Sequence, residues 1–192
     1  MRPRRIVAAL LGAWLTGSIA MVVVATHNLR SVDSLLEGST GPAAASVNAL
    51  GRAQARMLLR YHAAELNRDY FSWWEWAQMG LGIATLGVLI GVRQNGQPWH
   101  VVLAIAVLLI VVAERFVLTP EIVNLGRSID FVPPEIWSAQ RAVFWNLHRL
   151  YSGIELVKMA AIAILAGSVF RGREHRRKLV AELGPDSLRQ IQ

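Results

Sequence analysis

Three ionisable residues, His148, Glu155 and Lys158, occur within an apolar stretch over residues 144–167, FWNLHRLYSGIELVKMAAIAILAG. Histidine exchanges a proton near neutral pH, glutamate accepts protons or cations, and lysine neutralises a buried carboxylate. His148 and Glu155 are seven residues apart, and Glu155 and Lys158 are three apart, so all three share one broad face of a helix. The spacing therefore predicts that they belong to a buried polar network.

Other apolar stretches also carry ionisable or amide side chains. A charge at the centre of a bilayer costs about 2.5–3.5 kcal/mol even on the most lenient insertion scale, so such side chains should face the interior of a bundle and pair. With three acids and two bases, these charges nearly balance. The predicted network comprises Glu75, Gln78, Glu114, Arg115, His148, Glu155 and Lys158. Two interpretations remain: a functional site, or ion pairs that only fix the register of the helices.

Histidines near the ends of the apolar stretches support a second chemical hypothesis. His27, His62 and His148 are expected at one rim of the bundle, and Glu65 follows His62 by about one helical turn. Imidazole and carboxylate groups bind zinc and other divalent metals, and histidine is also an axial ligand of haem. A divalent metal or a haem at these four residues is therefore an alternative. The simpler interpretation places boundary histidines in an interfacial belt together with the tryptophans.

Several kinds of chemistry are excluded by the residues present. The chain has no cysteine, which rules out disulfide exchange, thiolate metal sites and cysteine-ligated iron–sulfur clusters. It contains no phosphate-binding P-loop, no nucleophile elbow and no HEXXH zinc motif. The sequence predicts no particular reaction, and an enzymatic activity is the less favoured expectation.

The elements that position these side chains are predicted to cross a membrane. Of the 192 residues, 54% are hydrophobic and only 17% are charged, which is too apolar for an ordinary soluble domain. Spanning the hydrocarbon takes about 20 apolar residues. Four stretches approach that length, at about residues 6–25, 70–92, 101–118 and 147–170. The predicted fold is an all-α membrane protein, a four-transmembrane-helix bundle over residues 1–170 with a basic tail at 171–192.

The first stretch also has the basic start of a signal peptide and a small residue, Ala25, at a suitable cleavage position. Its apolar run, however, is longer than the roughly 7–15 residues of a signal-peptide core. Ala9, Ala13 and Gly17 recur every four residues and form a ridge of the kind that packs helices closely in lipid. We therefore predict that it is retained as the first transmembrane helix.

The connections outside the membrane carry further helix signals. A helix is predicted to start near Pro42 and to run towards the second apolar stretch as an extra extracytoplasmic amphipathic helical segment. Its predicted apolar face comprises Val47, Leu50, Met57, Leu58 and Tyr61, and its polar face comprises Arg52, Arg56 and Arg60. After the third stretch, Thr119 is predicted to cap a new helix that has Pro120 at its first position. The pair Pro133-Pro134 is predicted to break the chain before the last helix.

The distribution of basic residues predicts the orientation. With four spans, the side that holds both termini and the turn RQNGQPW carries ten basic residues against three acidic ones. These basic residues are Arg2, Arg4, Arg5, Arg93, Arg171, Arg173, Arg176, Arg177, Lys178 and Arg189. Both termini are therefore predicted to be cytoplasmic, in a cell inner membrane, with the polar network in the outer half. The basic side is expected to contact anionic lipid headgroups rather than nucleic acid.

Several motifs indicate a family. The sequence ERFVLTPEI, followed by FWNLHRLYSGIEL, resembles the transmembrane-protein-205-like family, and AWLTG and RYHAAELNRDYF fit the same resemblance. The likeness extends from about residue 6 to residue 170. It includes an F-x-x-L-H-x-x-Y pattern formed by Phe144, Leu147, His148 and Tyr151, preceded by Phe116, Pro120 and Glu121. The resemblance implies a four-helix integral membrane domain of unknown function, with no catalytic residue or cofactor to carry over.

Three functional hypotheses follow from these residues. In the first, the chain is a small binding, carrier or accessory subunit that uses a polar cavity in the outer half of the bundle, and its partner is another membrane protein. In the second, it is a metal- or haem-binding redox subunit that uses His27, His62 and His148. In the third, it is a membrane scaffold whose polar residues only stabilise packing.

Overall fold

The computed structural model describes residues 3–91, 98–133 and 136–187, with side chains as far as residue 169. Every regular element within these ranges is a helix, which confirms the all-α class. The elements are α1 (Pro3–Glu37), α2 (Gly41–Leu50), α3 (Arg52–Gly91), α4 (Pro98–Ala113), a π-helical segment (Glu114–Leu118), α5 (Thr119–Ile129) and α6 (Ala139–Ser187).

Within the described ranges, three helices are long and apolar enough to cross a membrane: Pro3–Glu37, Pro98–Ile129 and Ala139–Val169. They contain the predicted first, third and fourth spans. The predicted second span, residues 70–92, is not among them; its described part ends at Gly91 and contains Glu75 and Gln78 in its first half. Within the described residues, length and composition thus identify three candidate spans, and the fourth stays a prediction.

Helix α1 packs along α3 and α6, and α4 packs between the same two helices. The buried residues of α1 recur every three or four positions, as expected for one face of a helix. They form an apolar cluster with residues of α4 and α6. Its most buried members are Val7, Leu11, Trp14, Val107, Val111, Ile162 and Leu165. Since α1 continues to Glu37, the helix is much longer than the predicted span of residues 6–25.

The predicted amphipathic segment is helical, but it consists of two helices. Gly51 separates α2 from α3 with a φ of 87°, a left-handed conformation that favours glycine. This break shifts the phase of the apolar face. Ala55 and Ala63 are buried against α1, whereas Leu58 of the predicted apolar face is 53% exposed. The residues Val47, Leu50, Met57, Leu58 and Tyr61 therefore do not form one buried stripe.

The predicted N-cap at Thr119 is wrong: α5 begins at Thr119 without a break from the preceding helix, and its N-cap position is Leu118. The helix continues from α4 into α5 through the π-helical segment, where the backbone N–H of Thr119 donates to the carbonyl of Glu114, five residues earlier. Pro120 has no N–H and its ring crowds the preceding turn, and a widened turn is one way for a helix to continue past such a residue. The Thr119 hydroxyl donates to Glu75 instead of capping the helix.

Helix α5 ends at Ile129, and α6 starts at Ala139, so the predicted interruption around Pro133 is present. Pro134 itself lies outside the described residues, as does most of the predicted cytoplasmic turn. The α6 backbone then continues through residue 170 as far as Ser187. The predicted boundary between the membrane domain and the basic tail does not coincide with a helix end.

Candidate functional site: a buried polar network

Three elements supply the polar side chains in the middle of the molecule. Helix α3 supplies Glu75 and Gln78 one turn apart, the π-helical segment supplies Glu114 and Arg115, and α6 supplies Glu155 and Lys158. These six residues are called the buried network below. Hydrogen bonds and ion pairs join them in two neighbouring groups, one of Gln78, Glu114, Glu155 and Lys158 and one of Glu75 and Arg115. Within the network, Glu75, Gln78, Glu114 and Lys158 are fully buried. The structure thus brings together six of the seven residues predicted for the network.

Lys158 is the central cation of the buried network. Its Nζ donates to Oε2 of Glu114 on the π-helical segment and to Oε1 of Glu155, the latter at 2.8 Å. Glu155 Oε1 also accepts from Gln78 Nε2 at 3.5 Å and from the Tyr151 hydroxyl at 3.4 Å. One ammonium group therefore holds two carboxylates and links α6 to the π-helical segment, while the Gln78–Glu155 hydrogen bond links α6 to α3.

Glu75 occupies a second position in the buried network. Thr119 donates its hydroxyl to Glu75 Oε1, while Arg115 Nε lies 3.7 Å from Glu75 Oε2. That distance allows an ion pair but exceeds a hydrogen bond. The Arg115 guanidinium also lies over the Trp76 ring, 5.3 Å from its centroid. Adjacent residues of the π-helical segment face different partners: Glu114 contacts α6 and Arg115 contacts α3.

Three contacting residues were missed by the sequence analysis. Trp14 Nε1 donates to Gln78 Oε1 at 2.9 Å, and the hydroxyls of Thr119 and Tyr151 donate to carboxylates. Trp14 follows the helical spacing of the other buried residues of α1, so this spacing in the sequence could have indicated that its side chain faces the interior. The sequence predicts a helix cap at Thr119, and it indicates Tyr151 only as part of the family motif.

The buried network is incompletely paired. It contains three carboxylates and two cations, and both Glu75 Oε2 and Glu114 Oε1 are buried without a hydrogen-bond donor among the described residues. Buried polar atoms in folded proteins normally have such partners, since the desolvation cost of each unpaired group is about 1–3 kcal/mol. Glu75 Oε2 still faces the Arg115 guanidinium at 3.7 Å, whereas Glu114 Oε1 has no such ion pair among the described contacts. Glu114 Oε1 is therefore the main position at which a donor or a cation can bind.

An apolar layer closes the buried network on one side. From Lys158 towards the end of the described side chains, α6 buries Ile162 and Leu165, which pack on the apolar cluster of α1 and α4. Beyond that layer, the Ser168 hydroxyl lies 2.9 Å from His100 Nε2. Ten residues of helix separate Lys158 from Ser168, which is about 15 Å. Ile162 and Leu165 thus separate the buried network from the His100–Ser168 pair along α6.

His148 lies apart from the buried network. It is exposed, and its ring stacks on Phe144 with centroids 5.9 Å apart and meets Trp145 edge-on at 5.6 Å. The seven residues between His148 and Glu155 advance a helix by about 10.5 Å, so a shared face does not imply contact. The structure does not support the prediction that His148 joins the network.

The residues predicted to bind a metal do not converge either. His27, His62, Glu65 and His148 all lie in the described part of the chain. Within that part, no three histidine or acidic side chains lie close enough together to hold a metal ion. Glu65 instead pairs with Arg68 at 2.6 Å and with Arg127 at 3.2 Å. The metal or haem hypothesis stays a prediction with no coordinating cluster to support it.

The contacts of Glu65 belong to a separate ion-pair cluster between α3 and the end of α5. Arg68 bridges Glu65 and Asp130, with Nη2 2.8 Å from Asp130 Oδ1. The hydrogen bond from Arg127, together with that from Arg68, outweighs desolvation and lowers the pKa of Glu65 below its ordinary value of 4.5. The ionised form of Glu65 is therefore favoured in the folded protein.

This lowered pKa predicts a pH dependence of stability. A carboxylate whose pKa is lower in the folded state stabilises fully above its ordinary pKa of 4.5, and the contribution is lost as the pH falls through the lowered value. Thermal unfolding at about pH 7 should show Glu65→Gln to be less stable than the wild type by at most about 1 kcal/mol. The difference should shrink on acidification. Glu121→Gln, at an exposed acid of α5, is the control, and an unchanged difference at low pH would contradict the assignment.

Comparisons with protein-family models, with curated proteins and with solved structures find no match to this chain. The resemblance to the transmembrane-protein-205-like family therefore stays a prediction. Functional inference rests on the geometry and charge of the buried network.

Proposed function

We propose that this chain is a four-span inner-membrane protein with cytoplasmic termini that acts as a binding or carrier subunit for a monovalent cation. In this proposal the buried network is the cation site, and it lies in the outer half of the bundle. The observation that carries the proposal is the pair of buried carboxylate oxygens without donors, within a network that has one more acid than base.

Residues 70–91 are proposed as the fourth span because of how their side chains are distributed. The polar residues Glu75 and Gln78 are fully buried, whereas Ile83 and Ile90 are more than half exposed. A helix with this distribution presents an apolar surface to lipid even though its average composition is less apolar than that of the three candidate spans. The excess of basic residues near the termini supports the proposed orientation.

The charges in the buried network support a cationic ligand. If all the acids are ionised, Glu75, Glu114 and Glu155 carry one more charge than Lys158 and Arg115 neutralise. A net charge buried in a medium of low dielectric constant costs several kcal/mol, so a proton or another monovalent cation should compensate it. A proton on one carboxyl and a bound cation are thus alternative ways to neutralise the same site.

The apolar layer beside Lys158 supports binding from one side rather than conduction through a pore. The buried residues Ile162, Leu165, Val107 and Val111 lie between the network and the His100–Ser168 pair. A channel for ions would need polar groups or water along its whole length. A binding protein, or a carrier that opens by a helix movement, needs only the one site.

Infrared difference spectroscopy tests the proposal. Protein in a lipid film is perfused at constant pH with sodium, potassium or ammonium chloride in turn. We expect a carboxylic-acid carbonyl band without the cation, and its replacement by carboxylate bands when the cation binds and the proton leaves. Glu114→Gln should abolish the response, because it removes the charge at one of the free oxygens.

The control for this experiment is Glu121→Gln, which removes an exposed acid outside the buried network. It should leave the cation response unchanged. A wild-type spectrum with no carboxylic-acid band and no cation-dependent change would contradict the proposal. That result would favour the alternative in which fully ionised pairs serve only as a scaffold.

A further inference from the structure

A groove on the outside of the protein leads to the buried network. It has a volume of about 580 Å³ and runs between α6 and the continuous helix formed by α4 and the π-helical segment. Its walls are mostly apolar, with Ile110 and Leu118 on one side and Ile154 and Val157 on the other. The volume falls within the range of about 300–1,000 Å³ typical of small-molecule sites.

Gly153 contributes to the groove by lacking a side chain. A Cβ built at Gly153 meets no atom within 4 Å, so this stretch of α6 faces open space. The groove opens sideways, since Leu150 is 50% exposed and Val157 is 64% exposed at its margin. In the proposed membrane arrangement, such a surface faces lipid rather than water.

The lining of the groove includes two charged residues with different surroundings. Arg149 is exposed, whereas Glu114 is fully buried and binds Lys158 through Oε2. The other oxygen of Glu114, Oε1, is one of the two carboxylate oxygens without a donor. Arg149 and Val157 are eight residues apart on α6, about 12 Å along the helix. The groove therefore has a cationic end and an end next to an unpaired acceptor.

We propose that the groove admits a lipid-soluble monocation sideways from the membrane and that its ammonium group pairs with Glu114. The apolar body of the ligand would occupy the space over Gly153. The Glu114 side chain, which has no exposed surface, would turn towards the groove so that Oε1 accepts a hydrogen bond from the ammonium. Charge complementarity selects this occupant, because the buried network has one excess carboxylate. Arg149 repels the cationic head from the opposite end and so sets the orientation. The inference rests on the proposed function and adds the ligand class and its route.

Photochemical labelling with three matched probes tests this inference. Decylamine, decanol and decanoic acid, each with a diazirine at the same chain position, are added to the protein in lipid nanodiscs. Mass spectrometry then quantifies label on residues 149–157. The ammonium probe should label this segment about tenfold more than the alcohol, the equivalent of about 1.4 kcal/mol. The acid, which Arg149 attracts to the other end of the groove, is the control for a charge of opposite sign.

Two variants separate the groove from the general lipid surface. Gly153→Leu should fill the groove and reduce labelling by the ammonium probe to the level of the alcohol. Gly167→Leu is the matched control, because it makes the same change on α6 at another glycine with no atom within 4 Å of its Cβ position. Glu114→Gln should remove the preference for the ammonium probe over the alcohol.

Equal labelling by the three probes would overturn the inference. The inference would also fail if the ammonium probe labelled the Gly153→Leu variant as strongly as it labels the wild type. The infrared response to small cations distinguishes this failure from failure of the proposed function. If that response persists in the wild type while the ammonium preference is absent, a cation reaches the buried network by another route. If neither is observed, both proposals are wrong.

Discussion

Replacing Lys158 with methionine should destabilise the protein by about 3–5 kcal/mol, the range expected when one partner of a buried ion pair is removed. Lys158 is fully buried and is the common donor to Glu114 and Glu155. Methionine has a similar length and fits the apolar surroundings, so the main cost is the two carboxylates left without their cation. The measurement is thermal or denaturant unfolding of the protein in a mild detergent, compared with the wild type.

The double variants provide the control for Lys158. Lys158→Met combined with Glu114→Gln should be clearly more stable than Lys158→Met alone, because the fully buried carboxylate is neutralised together with its partner. Combination with Glu155→Gln should give a smaller recovery, since the Glu155 side chain is 16% exposed. Losses that simply add would contradict a shared electrostatic environment for the three residues.

Introducing a methyl group at Gly17 should cost about 1–3 kcal/mol, the usual range for overpacking. Gly17 on α1 lies against the ring of Trp74 on α3, where a Cβ would be 2.8 Å from Cζ2 and even closer to two other ring atoms. Carbon atoms do not approach so closely without a shift of the ring or of the helix. The expected result for Gly17→Ala is a lower unfolding temperature in the same assay.

Gly12→Ala on the same helix is the matched control. A Cβ there meets no atom within 4 Å, so the change should be neutral or should stabilise the helix by about 0.5–1 kcal/mol. Adding Trp74→Phe to Gly17→Ala should recover part of the loss by making room for the methyl. If Gly12→Ala and Gly17→Ala had the same effect, α1 and α3 would not be in close contact at Gly17.

Much of the buried network was predictable from the energetic cost of charge in an apolar environment. Glu75, Glu114 and Lys158 occur inside apolar stretches, so they had to be buried and paired irrespective of the details of packing. The same reasoning did not predict which groups pair. The sequence places Glu114 within the network. Its contact with Lys158, 44 residues later in the chain, depends on how two helices pack against each other.

The errors at Thr119 and His148 have physical reasons. Proline is common at the start of a helix, so the residue before Pro120 resembles a cap, whereas a widened turn keeps the helix continuous here. For His148, helical spacing gives the face of a helix but not the distance to the next helix. The ring therefore stacks on Phe144, outside the network.

Local composition and the helical spacing of apolar residues were sufficient to predict an all-helical chain, its long apolar helices and most of the buried polar groups. Each of these features depends on the free energy of transferring side chains from water to an apolar medium. The π-helical turn, the hydrogen bond from Trp14 to Gln78 and the groove over Gly153 arise from packing between distant segments. Their geometry depends on which helices are neighbours and how closely they approach. No local pattern encodes that approach. The two buried carboxylate oxygens without a hydrogen-bond donor, and with them the proposed cation site, are therefore recognisable only in the assembled helices.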